Sequence, residues 1–480
     1  MALPSHKTKI VCTIGPACDH PEIIERMIGA GMDVARLNFS HGDFPTHKRR
    51  IEHVRAASRA AGKRVAILAD LPGPKMRIGE LNREPIELQS GDPFVLTVEP
   101  IGGDEGRVSV SYSELPRVVK PGDTLFLNDG LIQLEVLNIH GNEVRCTVMV
   151  GGELRSRKGL NLPGIHLGIR AFTDHDGECL RFAMDHGVDA VSQSFVEGAE
   201  DMEAVRSAAA SMGCNPFLIA KIERSRALNN LDAILDASDG IMIARGDLGV
   251  EVPIEQIALL QKRLMRKANL LGKPVITATQ MLESMVENRR PTRAEATDVA
   301  NAILDGADCV MLSGESAIGK YPVDAVSMLA RIAASIEPFR DGGSIGEDLR
   351  GVQKGGIPDL RDVIAHSVVT AVEWVDPAAV FVPTRGGNTA RSITRFRIPV
   401  WIVAVSAEEA TCQGLVFSYG VHPVHHPDHP ENWREFVEAW MHSHGVEGKH
   451  VVLTEGPSRK NPGTNNRMEI IDLDRKIARN

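Results

Sequence analysis

Eight short apolar runs, most of them followed by a longer amphipathic stretch, punctuate this chain, and that alternation constrains its fold more than any other feature. Three come early: TKIVCTIG (8–15), DVARLNFS (33–40) and VAILADL (65–71). Five follow an interruption: AVSQSF (190–195), FLIAKIE (217–223), DGIMIA (239–244), PVITATQ (274–280) and ADCVMLS (307–313). Strand and helix in regular succession imply a parallel sheet with helices packed outside it. The pieces that hold these runs, 1–72 and 163–338, amount to roughly 250 residues, the usual size of a (β/α)8 TIM barrel. From 73 to 162 the texture changes to alternating strands between turn signals (QSGD, KPGD, LNDG, IHGN, VGGE), which predicts an inserted all-β lid, a β-barrel. After a Gly-rich link, DGGSIG (341–346), the runs AAVFVPT (378–384), PVWIVAVS (399–406) and KHVVLTEG (449–456) predict a separate α/β domain over 347–480.

Composition limits the function. With 480 residues, 43% apolar and 24% charged, the chain is long enough for several ordinary cores and is neither fibrous nor disordered. A formal charge of −9 offers no general attraction to nucleic acid or to an anionic membrane, so any anion site must be built locally. MALPSHKTKI lacks the apolar stretch of a signal peptide, and no window reaches the ~18 apolar residues of a spanning helix. The seven cysteines are dispersed and free of CxxC spacing, which fits a reducing compartment and no structural zinc. A soluble cytoplasmic protein is expected.

Barrels carry their chemistry at the C-terminal ends of the strands, and here those ends are loaded with polar groups. On the second strand Arg36, Asn38 and Ser40 alternate with Leu37 and Phe39, which puts a cation and two polar groups on one face. The third strand closes with Asp70. The fifth ends with Lys221 and Glu223, again on one face and among apolar neighbours. Asp247 follows the sixth in ARGDLG, where a Gly-flanked turn opens a helix, and Glu223 with Asp247 are hard oxygen donors suited to Mg²⁺. The helix start beside Gly246 offers N–H groups to an anion. Thr277 and Thr279 share a face of the seventh strand, and the eighth ends at Ser313, Gly314 and Glu315. The alternative for Lys221 with Glu223 is a salt bridge inside the barrel; the apolar surroundings and the nearby Asp247 favour the metal reading. A divalent cation, a lysine, an arginine and anion-binding amides together describe phosphoryl transfer. His41, in the loop after the second strand, either binds or simply packs. HPVHHPDHP (422–430) reads as a solvated loop rather than a metal site, and Met281 with Met285 as core packing.

The stretches ARLNFSHG (35–42), AKIERSRALNNLDAILDASDGIMIARGDLGVEVP (220–253), ITATQMLESM (276–285) and PTRAEATDVANAILDGADCVMLSGESAIGKYP (291–322) closely resemble pyruvate kinase. The resemblance implies the barrel, lid and C-terminal regulatory domain already read from texture. It implies a phosphotransferase that turns phosphoenolpyruvate and ADP into pyruvate and ATP at the last step of glycolysis, with Mg²⁺ or Mn²⁺, as a homotetramer. It places Glu223 and Asp247 on the metal, and Lys221 and Arg36 on the phosphoryl group. Thr279 falls beside the enolate carbon, Ser313 in the protonation network, and Gly246 on the substrate. Asn38, His41, Arg77 and Lys158 fall on the nucleotide side, with Asp129 in the lid.

Two places depart from the family. Where many members read DTKGPE and ligate K⁺ through Asn, Ser, Asp and Thr, this chain keeps Asn38, Ser40 and Asp70 but reads DLPGPK, so the Lys75 ammonium is expected to replace K⁺. In the C-terminal domain RGGNTAR (385–391) has Gly-Gly where many have Ser-Gly, so Thr384, Arg385, Gly386, Gly387, Asn388 and Thr389 form either a site for a phosphorylated effector or a purely structural turn. Two rival readings remain, a metal-dependent lyase or aldolase acting on pyruvate and a catalytically dead metabolite sensor. The lid with Arg77 and Lys158 argues against the first, and the full set of catalytic positions against the second.

Overall fold

The computed structural model describes residues 3–340, 359–428, 430–456 and 466–474; the Gly-rich link at 341–346, the expected domain start at 347 and His429 lie outside the described residues. Eight parallel strands close a barrel: β1 (Lys9–Thr13), β2 (Met32–Asn38), β3 (Ala66–Leu71), β12 (Ala190–Gln193), β13 (Phe217–Ile222), β14 (Gly240–Ala244), β15 (Val275–Ala278) and β16 (Cys309–Leu312). Around the barrel they run β1-β16-β15-β14-β13-β12-β3-β2. The eight expected runs are these eight strands, each strand one to three residues shorter than its run.

The pleat decides what faces the barrel axis. Ile10, Cys12, Ala35, Leu37, Ile67, Ala69, Leu218, Ala220 and Ile222 belong to the core against the outer helices. Their alternates Val11, Val34, Leu68, Ala190, Ile219 and Met311 fill the interior. Side-chain period two therefore carries Thr13, Arg36, Asp70, Ser192 and Lys221 inward, one layer above that apolar filling. Thr277 has the parity of Val275, which packs outward, so it does not share the site face as the strand pattern suggested.

The lid has its own core, centred on Phe94, Leu96, Leu125, Leu134 and Val148. Its strands are β4 (Ile86–Leu88), β5 (Pro93–Thr97), β6 (Arg107–Ser109), β7 (Thr124–Leu127), β8 (Ile132–His140), β9 (Glu143–Val150), β10 (Gly152–Leu154) and β11 (Leu160–Asn161). β11-β7-β8-β9-β5-β6 form one sheet and β10-β4 a separate ribbon. The segment 76–81 bridges the two edges of that sheet: the Leu160 N–H donates to the Met76 carbonyl at 3.0 Å on the β11 side, and the Gly79 N–H to the Ser109 carbonyl at 2.8 Å on the β6 side.

The C-terminal sheet runs β19-β18-β17-β20-β21, from β17 (Ala379–Pro383), β18 (Trp401–Ser406), β19 (Val421–His425), β20 (His450–Glu455) and β21 (Arg467–Asp472). Two of these strands escaped the sequence reading. β19 runs into HPVHHPDHP and ends at His425, so that segment is partly an edge strand rather than wholly a loop, and His422 is buried enough that desolvation pushes its pKa down to about 3. This domain plugs the barrel floor. Phe417 stacks on Phe217 with ring centroids 5.3 Å apart, and Arg397 pairs with Asp308 at 2.6 Å. A cavity of about 780 Å³ lies at this junction, lined by Lys9, Lys63, Trp401, His422 and Trp440, and none of the chemistry-bearing residues named above opens into it. Met281 and Met285 are fully buried in the barrel core.

Candidate active site at the barrel mouth

Arg36 is fixed at both ends of its guanidinium. Nη1 donates to Thr13 Oγ1 at 2.8 Å and Nε to Asp70 Oδ2 at 2.9 Å. The other Asp70 oxygen accepts from Ser192 Oγ at 2.7 Å and stands 3.6 Å from Lys221 Nζ. Burial works against the Asp70 charge, but Lys221 and Arg36 outweigh it and hold the carboxyl down at about 2. Lys221 is buried too. Its ammonium donates to Ser194 Oγ at 2.7 Å and lies 3.2 Å from Glu223 Oε2. Desolvation disfavours that charge, yet Asp70 and Glu223 together raise the lysine above its ordinary pKa.

Glu223 shows whether these residues suit a divalent cation. Oε1 accepts from the backbone N–H of Phe195 at 2.7 Å, whereas Oε2 is buried with no hydrogen bond, leaving Lys221 as the charge beside it. Burial raises the Glu223 pKa, Lys221 lowers it, and Asp247 raises it again. Two carboxylates close enough to oppose each other's ionisation, one with an oxygen free of hydrogen bonds, are a donor set that a hard cation relieves. Among the described residues no cluster of three or more His, Cys, Asp or Glu side chains has a metal-holding arrangement. That leaves the two-carboxylate type, completed by substrate and water, as the fitting one.

Asp247 sits in the first turn of the helix Arg245–Glu251, which Arg245 anchors through paired bonds of 2.7 and 2.6 Å to Asp298. Thr279 lies beyond the end of β15 with φ 71°, a left-handed conformation rare for a β-branched residue. The turn brings its Oγ1 to the Gly246 N–H at 2.7 Å. That N–H is thus already engaged, unlike the free group expected at this helix start. Ser313 is half-buried, and its own N–H is held by Glu315, whose other oxygen takes the N–H of Leu282. Glu315 is therefore a scaffold for the loops and not a group facing the cleft.

β2 ends at Asn38, so Ser40 lies two residues past the strand. Its N–H donates to Asn38 Oδ1 at 3.1 Å. Lys75 makes no direct ion pair among the described residues. Much of its side chain reaches solvent, yet its ammonium is hemmed in, and desolvation and then Lys221 lower its pKa while Asp70, Glu223 and Asp247 act to raise it. His41 is exposed and lowered first by desolvation, then by Lys75, Arg77 and Arg36, which marks a positive field on this flank.

The lid supplies the opposite wall. Arg77 donates to the Arg157 carbonyl at 3.1 Å and pairs with Gly159, next to Lys158. Asn128 and Asp129, both at positive φ, make the β7–β8 turn that aims Asp129 toward Gly159. Gly130 in that turn comes so near that a Cβ would stand 3.2 Å from Val250, on the helix that carries Asp247. In the C-terminal domain Thr384 Oγ1 accepts from Gly387 N at 2.9 Å and Arg391 donates to the Gly386 carbonyl, so the 384–389 loop is ordered by its own bonds.

Sequence reasoning missed Thr13, Ser192, Ser194 and the Phe195 N–H. The signal available was strand parity on β1 and β12.

Comparison with known proteins agrees with this geometry. The family models described as "Pyruvate kinase, barrel domain" and "Pyruvate kinase, alpha/beta domain" match residues 5–326 and 362–471. The chain is 48% identical to a pyruvate kinase of Thermococcus litoralis over 97% of its length and 98% of the relative's. It is 43% identical to one from Clostridium acetobutylicum, covering 87% and 88%. A crystal structure of a pyruvate kinase from Cryptosporidium parvum superposes with a TM-score of 0.91 at 36% identity, covering 98% of this chain and 96% of that one.

Proposed function

The chain belongs to the pyruvate kinase family, and on that premise we propose how its own residues divide the work. The enzyme is a phosphotransferase that moves the phosphoryl group of phosphoenolpyruvate to ADP, giving pyruvate and ATP at the end of glycolysis, and it requires a divalent cation. The observation that carries the assignment is the Lys221 ammonium lying between Asp70 and Glu223 on the inward face shared with Arg36.

Glu223 and Asp247 hold Mg²⁺ or Mn²⁺, which when bound acts as a Lewis acid toward the substrate oxygens. Arg36, immobilised by Thr13 and Asp70, meets the phosphoryl oxygens without having to be ordered at the moment of reaction. Lys221 follows the phosphoryl group as its bond to the enol oxygen lengthens and its bond to the ADP oxygen forms. Gly246, Asp247 and Thr279 line the carboxylate end of phosphoenolpyruvate, with Gly246 and Thr279 exchanging their mutual bond for bonds to substrate. The proton that converts enolate to pyruvate arrives on the Thr279–Ser313 side. Asn38, His41, Arg77 and Lys158 receive the ADP phosphates, in keeping with the positive field at His41. Asp129 closes over the nucleotide with the lid, and closure keeps water from the phosphoryl group.

The Lys75 ammonium takes the place of K⁺, drawn by Asp70, Glu223 and Asp247. Rates in sodium-only and potassium buffers are expected to agree, and K⁺ activation beyond about tenfold would refute the substitution. The 384–389 loop binds a phosphorylated effector with a coupling of ~1–3 kcal/mol. The protein works as a cytoplasmic homotetramer, its exposed Phe339, Leu360 and Trp374 being candidates for subunit contacts. A coupled pyruvate assay that varies ADP, Mg²⁺ against Mn²⁺, K⁺ and a panel of sugar phosphates tests the reaction, its cations and the effector, and sedimentation of the purified protein tests the tetramer. Pyruvate release without ADP would reject the assignment.

A further inference from the structure

The turn that ends β12 touches both charged groups of the fifth strand, and no role in the reaction has yet been given to it. Ser194 is 1% exposed, and its hydroxyl proton is committed to the Leu71 carbonyl at 2.7 Å. Its lone pairs therefore face the Lys221 ammonium, which donates to them at 2.7 Å. The next residue, Phe195, has φ 60°, which a non-glycine residue adopts only at a cost. That conformation directs its N–H onto Glu223 Oε1 at 2.7 Å. The partner oxygen, Oε2, is left buried with no hydrogen bond. The turn itself is held fast: the fully buried Gln193 donates to the carbonyls of Ala171 and Ser194 at 2.8 and 3.0 Å. The strap leading into the lid also presses on it. A Cβ on Gly73 would stand 2.9 Å from the Phe195 ring and 3.2 Å from Ser194, and the Gly73 N–H is fixed by Asp176 at 2.9 Å.

We propose that Ser194 and Phe195 form a positioning element for phosphoryl transfer, in which the Ser194 hydroxyl aims the Lys221 ammonium and the Phe195 N–H occupies one Glu223 oxygen so that the other stays available to the divalent cation. Neither residue touches substrate in this account. Each acts through a neighbour, so the two halves have separate signatures.

The Ser194 half predicts non-additivity. Ser194→Ala lowers kcat by about 10- to 100-fold, the scale of one charge-assisted hydrogen bond, with KM for phosphoenolpyruvate little changed and the thermal midpoint lowered by loss of the buried bond to Leu71. In a Lys221→Met background the same substitution costs less than twofold, because nothing remains to be aimed. An equal Ser194→Ala penalty in both backgrounds, or a loss under twofold in the wild type, overturns this half. The Phe195 half predicts an order of divalent affinity, read by Mn²⁺ titration of the substrate-free protein. Phe195→Gly keeps the N–H and relaxes the backbone, so Mn²⁺ affinity stays within threefold. Phe195→Val resists positive φ and weakens it by about fivefold or more. The reverse order, with Gly weaker than Val, assigns the effect to the ring and overturns this half.

The inference rests on the proposed roles of Lys221 and Glu223, and the same panel separates the two failures. Lys221→Met or Glu223→Gln with near-wild-type behaviour defeats those roles. Large losses there beside a silent Ser194→Ala defeat only the positioning claim.

Discussion

Replacing Lys221 by methionine keeps the apolar stem and removes the charge, which isolates what the ammonium does. In the resting protein that ammonium is 3.2 Å from Glu223 and 3.6 Å from Asp70. At an effective dielectric near 20 each contact carries a gross attraction of about 5 kcal/mol. Most of that offsets the desolvation of a buried ammonium and does not distinguish ground state from transition state. The part that counts for rate is the charge met by the migrating phosphoryl group, and one preorganised donor of this kind contributes about 3–4 kcal/mol, or 10² to 10³ in kcat. The divalent site responds with the opposite sign. Removing a cation from beside the free oxygen of Glu223 relieves repulsion, so Mn²⁺ binds the variant as tightly as wild type or several-fold tighter. Steady-state assay and Mn²⁺ titration on one preparation read both effects. A variant keeping more than half its turnover, or losing turnover and metal affinity together, would refute the assignment of Lys221 to the phosphoryl group.

Other expectations follow from the same contacts. Asp70, held at about 2 against an ordinary 3.8, is depressed on folding, so its contribution is complete above about pH 4 and lost as pH falls toward 2. From that difference Asp70→Asn destabilises by about 2 kcal/mol at pH 7, and urea midpoints of variant and wild type converge near pH 2; a pH-independent gap would contradict this. Asp298→Ala releases Arg245 and loosens the helix that bears Asp247, lowering Mn²⁺ affinity about tenfold, and unchanged affinity would show that the anchor is irrelevant. Gly130→Ala places a methyl group against Val250 at a positive-φ position, so KM for ADP rises several-fold while substrate-free Mn²⁺ binding is unaffected; a change in Mn²⁺ affinity instead would mean the lid turn touches the metal site directly.

Much of the barrel was readable because its strands are buried on both faces and therefore spell near-continuous apolar runs such as KIVCT and GIMIA. Arg36, Asp70, Lys221 and Glu223 stood out for the same reason, as charges set inside or closing those runs. Thr279 was harder. Its sequence reads as a strand residue sharing a face with Thr277, and only the left-handed backbone after Ala278 separates the two and turns its hydroxyl to Gly246. Ser194 was invisible as a functional residue because its partners, Leu71 and Lys221, lie 123 and 27 residues away. β19 was missed because its histidines and proline lack the apolar alternation that marks a strand, while β-pairing with β18 is supplied by the backbone.

The most direct test of the account is anomalous diffraction at the manganese edge from crystals grown with Mn²⁺ and a non-reacting phosphoenolpyruvate analogue. The account predicts one peak at the barrel mouth within about 2.2 Å of a carboxylate oxygen from both Glu223 and Asp247, with the Lys221 ammonium alongside but not ligating. A peak bound by only one of these carboxylates, or by neither, would contradict it.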